Sequence, residues 1–205
     1  MPWVKVISES AATGDLLELY KEQRKKGKHS DVPLGEASMP PAYSVFSQNG
    51  AALCALKELE AIIRFGKSEL SRLQREMIAT VTSRLNECVF CTMAHARFVR
   101  DKTKDEKFYE DLVRDYQQAD LRPADRAMLD YAAKLTQNPG AVTAEDVAGL
   151  RAHGFSDAAI TDIALNVSFM CLYNRMILGL GAEVQPHKLE EARRLGMKLP
   201  PHEQK

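Results

Sequence analysis

An all-α fold, a bundle of about eight helices in one domain, is the architecture that the sequence predicts. Three observations carry it. Apolar residues recur at helical spacing in almost every segment, no stretch of useful length alternates as a strand would, and the segments are punctuated by capping residues and glycines. With 205 residues, 45% of them apolar, the chain can bury an ordinary core without covalent staples.

The elements follow in order. "TGDLLELYKEQRKK" sets Leu16, Leu17 and Tyr20 on one helical face, acids first and bases last as the helix dipole favours. "GKHSDVPLGEASMPP" breaks the chain with Gly, Ser and prolines and predicts a loop of about fifteen residues. "AYSVFSQNG" reads as a short helix stopped by Asn49 and Gly50, and "AALCALKELEAIIRF" as a longer one ended by Gly66 in a left-handed position. Ser71 opens a capping box, "SRLQ", before the stripe Leu73, Met77, Val81 and on to Leu85. "DEKFYEDLVRDYQQA", "ADRAMLDYAAKLTQ", "TAEDVAGLRAHG" and "SDAAITDIALNVSFMCLYNRMILGLG" each start at a polar cap and carry an apolar stripe, with stops at Gly154 and Gly179 to Gly181. The expected organisation is an N-terminal helix and Pro-rich loop over 1–40, a helical domain over 41–185, and a short helix with a flexible tail over 186–205.

Composition narrows the function. The 28 basic and 28 acidic residues cancel, and "KEQRKKGKH" sits at a helix end, so nucleic acid and anionic membrane are not expected as partners. Neither a signal peptide nor a membrane span is legible, which suggests a cytoplasmic protein. Four cysteines, Cys54, Cys88, Cys91 and Cys171, are too few for a disulfide framework, and in a reducing compartment a close pair points to catalysis, redox sensing or metal.

That pair lies in "LNECVFCTMAHARF". On a helix, positions 88, 91 and 95 fall within an arc of about 60°, so Cys88, Cys91 and His95 share a face. Asn86 as N-cap would place Cys88 in the first turn, where free backbone amides favour a thiolate. His95, four residues after Cys91, is positioned to take that residue's proton. The neighbouring anion Glu87 should raise the Cys88 pKa. Incidental core cysteines would leave the spacing of three reactive groups to coincidence. A zinc site would need a fourth ligand, and Cys54 and Cys171 stand alone. His29, His153, His187 and His202 read as surface or loop histidines, and no cofactor or metal is expected. Glu76, with Arg72 one turn before it, could by itself be a solvated acid on a helix rim.

The stretch "LQREMIATVTSRLNECVFCTMAHARF" resembles the core of the alkylhydroperoxidase D and carboxymuconolactone decarboxylase superfamily, whose peroxidase branch carries a glutamate, eleven residues, then C-x-x-C-x-x-x-H. Glu76, Cys88, Cys91 and His95 match that spacing, and the likeness extends over most of residues 5 to 185. The resemblance implies an AhpD-like helical bundle assembled as a trimer or hexamer. It implies a peroxidase acting on hydroperoxides through a redox-active Cys88–Cys91 disulfide, with Cys91 attacking, Cys88 resolving, Glu76 orienting His95 and an external dithiol as reductant. Two positions depart from the pattern: Glu87 stands where glycine is usual, and Phe90 where a histidine can precede the second cysteine. The alternatives are a lactone decarboxylase of the other branch and a non-enzymatic redox or zinc-binding module. Asn174 and Arg175 carry no assignable role from sequence.

Overall fold

The computed structural model describes residues 2–26 and 41–201. Most of the expected loop, and His29 and His202 with it, lies outside the described residues. Along the chain run α1 (Gly14–Lys26), the single turn α2 (Pro41–Ser44), α3 (Gly50–Phe65), α4 (Arg72–Leu85), α5 (Val89–Thr103), α6 (Glu106–Asp115), α7 (Pro123–Gln137), α8 (Ala144–Ala152), α9 (Asp157–Gly179) and α10 (Pro186–Arg194), with short 3-10 turns between several of them. No strand occurs among the described residues. The chain divides into two compact units, Met1–Ala61 with Arg175–Val184, and Ile62–Asn174 with Gln185–Lys205.

In the first unit, polar tethers set the N-terminal segment. Tyr20 Oη donates to the Ile7 carbonyl at 2.6 Å, Ile7 N–H donates to Ser47 Oγ at 2.8 Å, and Arg24 pairs with buried Glu9 at 2.7 Å. Gly50 does not stop a helix as its residue type suggested. It is right-handed, φ −58°, and opens α3, with Asn49 Oδ1 accepting from Ala52 N–H at 3.0 Å. Its lack of a side chain serves contact instead, since a Cβ there would meet Leu16 Cβ at 3.0 Å.

The second unit is organised around α4. Its core gathers Met77, Ile78 and Val81 from α4 with Val99, Leu112, Met128, Leu129, Leu150 and Ile163. The capping box forms as read: Ser71 Oγ accepts from Gln74 N–H at 3.2 Å, and Gln74 Oε1 accepts from Ser71 N–H at 2.9 Å. Every residue from Glu76 to Ser83 is buried, so α4 is a central helix rather than an amphipathic one with a wet rim. Its polar side chains survive burial because they are bonded; Thr80 Oγ1, for example, donates to the Glu76 carbonyl at 2.8 Å. Gly66 ends the preceding helix without a left-handed φ. Glycine is required there for another reason: a Cβ would lie 2.4 Å from the Ile62 carbonyl oxygen, which accepts the Gly66 N–H at 2.9 Å. Gly154, at φ +90°, is a left-handed stop after α8.

Candidate active site

Three residues join α4 to α5. Asn86 closes α4 as its C-cap, donating N–H to the Thr82 carbonyl at 3.1 Å, and is not the N-cap of the next helix. Glu87 turns the chain in a left-handed conformation, φ +57°. Cys88 itself is then the N-cap of α5, extended at φ −86°, ψ 90°. This two-residue displacement places its side chain at the first turn of a helix, with no carboxylate or hydroxyl in competition. The Glu87 carboxylate is exposed and paired with Lys198 Nζ at 2.9 Å, so it does not bear on the thiol as its adjacency in sequence suggested. Its departure from the usual glycine is a matter of backbone strain.

Both sulfurs are sealed: Cys88 is 0% and Cys91 3% exposed, and both are free thiols. Cys88 accepts a hydrogen bond from the Cys91 thiol, and this, against the opposing effect of burial, lowers its pKa, helped by the N–H groups of Cys91 and Phe90 and by the Asn174 amide. Cys91 is pushed well up, because it holds the proton shared with Cys88 and because it is buried. Of the two thiols, Cys88 is therefore the one that ionises more readily.

Asn174 belongs to α9 and is fully buried. Its Oδ1 accepts from Asn86 Nδ2 at 3.0 Å and its Nδ2 donates to Ser83 Oγ at 3.2 Å, which ties the turn before the cysteines to the end of α4. Asn86 Nδ2 also approaches Cys171 Sγ at 3.5 Å.

Glu76 and His95, nineteen residues apart, meet at 2.6 Å between Oε2 and Nδ1. Burial alone would raise the Glu76 carboxyl, but the His95 hydrogen bond and charge, with Arg64 and Arg72, hold it at about 2. Its other oxygen accepts from Arg72 Nε at 2.7 Å and Arg64 Nη2 at 3.2 Å. The Arg72 guanidinium is in turn packed on Phe65 at 4.2 Å and Phe98 at 4.9 Å. Because Glu76 is ionised, Nδ1 carries a proton and donates it, which leaves Nε2 as the ring nitrogen turned away from the carboxylate. No hydrogen bond joins His95 to either sulfur. Chemically, the arrangement sets a buried thiol pair and an oriented imidazole within the same unit.

Arg64 and Lys188, both missed in the sequence, complete the charged surroundings. Arg64 could have been found only as a base on the helix before Glu76. Lys188 Nζ lies 4.2 Å above the Phe90 ring, the residue between the two cysteines. Among the described residues no three His, Cys, Asp or Glu side chains are grouped to hold a metal ion. None of the helices described is long and apolar enough to cross a membrane.

The carboxymuconolactone decarboxylase family matches residues 50–134, a span that contains Glu76, Cys88, Cys91 and His95. An uncharacterized peroxidase-related protein from Silicibacter sp. TM1040 shares 30% identity and a TM-score of 0.76, over 91% of this chain and 93% of its own. This chain belongs to the AhpD-like and carboxymuconolactone decarboxylase superfamily. Within the superfamily it is also similar to an uncharacterized peroxidase-related protein from Ralstonia eutropha JMP134 with an alkylhydroperoxidase AhpD core, at 26% identity, TM-score 0.79, covering 91% of this chain and 94% of that one. The debrominase Bmp8, solved with 2,3,4-tribromopyrrole, shares the AhpD-like fold at TM-score 0.73 over 95% of this chain and 100% of its own, but only 15% identity, a likeness of fold alone. No curated protein matches.

Proposed function

We propose that the chain is a thiol-dependent peroxidase acting on hydroperoxides. The observation that carries the reading is the placement of Cys88 as the N-cap of α5, at the first turn of that helix and one turn from Cys91, in a unit where Glu76 holds His95 at 2.6 Å. The Cys88 thiolate attacks the O–O bond, taking one oxygen as sulfenic acid while the other leaves as an alcohol or water after gaining a proton. His95, oriented by Glu76, relays that proton through Nε2. Cys91 then condenses with the sulfenic acid, releasing water, and an external dithiol reduces the disulfide in a cytoplasmic setting. The order reverses the one implied by the superfamily. The one-turn spacing of Cys91 and His95 favours Cys91, but His95 Nδ1 is engaged by Glu76 and the amides favour Cys88.

The test is a thiol count on reduced protein after cumene hydroperoxide. Two thiols per chain should vanish together and map to "ECVFCTMAHAR", with Cys54 and Cys171 still reduced. An unchanged count, or loss at Cys54 or Cys171, would overturn the reading. The family match also supports a second reading, a lactone decarboxylase that does not use the thiols. Turnover of a carboxylated lactone by a Cys88→Ser, Cys91→Ser double variant would establish it.

A further inference from the structure

Lys188 occupies a place that disfavours a cation on four counts. It is half-buried on α10, which costs an ammonium its hydration. It lies in the first turn of that helix, two residues after Pro186, where the dipole and free amides repel positive charge. No carboxylate among the described residues pairs with it, the α10 acid Glu191 being engaged by Arg194 and Tyr109. Burial pushes its pKa down, and Arg97 on α5, a charge of its own sign, adds to this, while Cys91 pushes it up. What faces the ammonium favourably is the Phe90 ring and the sulfur of Cys91. A cation–π contact offsets only part of what the burial of a lone ammonium costs. The remaining attraction must come from negative charge at the cysteine pair.

We propose that Lys188 is a positioning residue of the thiol centre: its ammonium, seated on Phe90, stabilises the thiolate that Cys91 forms when the disulfide closes. The inference rests on the peroxidase reading above. In that cycle Cys88 is oxidised first, and its sulfenic acid no longer shares a proton with Cys91. Cys91–SH must then give up its proton as its sulfur displaces hydroxide from Cys88; proton and hydroxide leave as one water, and the new bond is S–S. During that step negative charge gathers on a buried sulfur, and Lys188, seated on the ring of the residue between the two cysteines, is the cation without a carboxylate partner among the described residues. The other charges around the pair are committed elsewhere: His95 to Glu76, Arg72 and Arg64 to Glu76, Arg97 to Asp101 at 3.7 Å, and Glu87 to Lys198. A cation on α10 can thus stand in for the histidine that Phe90 replaces.

The experiment is pulse labelling with iodoacetamide from pH 5 to 10, resolving Cys88 from Cys91 by fragmentation of the "ECVFCTMAHAR" peptide. Lys188→Met keeps the length and apolar packing of the side chain but removes the charge. Its Cys91 half-labelling pH should rise by about one unit, the low end of the effect of a nearby opposite charge, with Cys88 little moved. Lys188→Arg should restore the profile, and Phe90→Leu, which unseats the ammonium, should mimic Lys188→Met in part. After one equivalent of cumene hydroperoxide, dimedone should trap several-fold more sulfenic acid in Lys188→Met, because closure is slowed. A Cys91 profile unchanged in Lys188→Met, or an equal shift of both cysteines, would overturn the proposal. The labelling arm needs no peroxide, so a wild-type chain whose thiols resist peroxide would refute the peroxidase reading while Lys188 is still decided.

Discussion

Replacing Glu76 by Gln removes one negative charge from a side chain only 1% exposed and leaves its shape intact. In the folded chain the carboxyl is held at about 2, against 4.5 for an ordinary glutamate. A drop of about 2.5 units corresponds to roughly 3 kcal/mol of stability at neutral pH, a size in keeping with the loss of one partner from a buried ion pair. Since the folded pKa lies below the unfolded one, the contribution is complete above about pH 5 and is lost as pH falls from 4.5 toward 2. Urea unfolding of wild type and Glu76→Gln, each at pH 7 and pH 3, isolates it from the other carboxylates. The gap should be about 3 kcal/mol at pH 7 and about half that at pH 3, because the variant already resembles the protonated state. A variant as stable as wild type at pH 7, or a gap that does not shrink on acidification, would refute the claim that Arg64, Arg72 and His95 together hold an anion at this position.

Glu87→Gly should stabilise the chain by about 0.5–1 kcal/mol in urea melts, since relief of the left-handed strain exceeds the exposed Lys198 pair, and it should leave Cys88 alkylation unchanged; a loss of stability would show the turn to be unstrained. His95→Gln should leave the alkylation profile of Cys88 near that of wild type while lowering peroxide turnover about a hundredfold, and a parallel loss of alkylation would place the imidazole on the sulfur after all. Asn174→Ala, which removes an amide that lowers the pKa of both thiols and unpairs Asn86 and Ser83, should cost about 1–3 kcal/mol and shift Cys88 labelling to higher pH; an unshifted profile would reduce Asn174 to a structural tie. Leu165 and Leu172 on α9 remain exposed, so light scattering at micromolar concentration should give a multiple of the chain mass, and a monomer would sink the expected homo-oligomer.

Helical frames were legible because periodicity and caps are local signals; Ser71 and Gln74 announce α4 within four residues. The motif spacing was legible for the same reason, as 88, 91 and 95 lie within two turns. What sequence could not supply was the burial of α4 all round, since Glu76, Thr80 and Ser83 read as polar until their partners are known. The cap of α5 was misplaced because Asn86 is the better N-cap by residue type, whereas the left-handed Glu87 between it and the helix shifts the start to Cys88. Gly50 and Gly66 were read as chain breakers, but close approach of another atom, invisible in one dimension, explains each. Arg64, Asn174 and Lys188 come from other helices, and only Lys188 leaves a faint mark: a lysine two residues into a helix that opens with proline.

The sealing of both sulfurs has a kinetic consequence. A peroxide is small enough to follow a transient opening, but a reducing protein must bring its own sulfur within bonding distance of Cys88 or Cys91 along the line of the disulfide, and rigid docking cannot deliver it there. In the proposed cycle, reduction therefore has to wait for the oxidised chain to part around α5. At high concentrations of such a partner the regeneration rate should level off at the frequency of that parting, a ceiling belonging to this chain and the same for every protein reductant, while a small dithiol would meet a higher one.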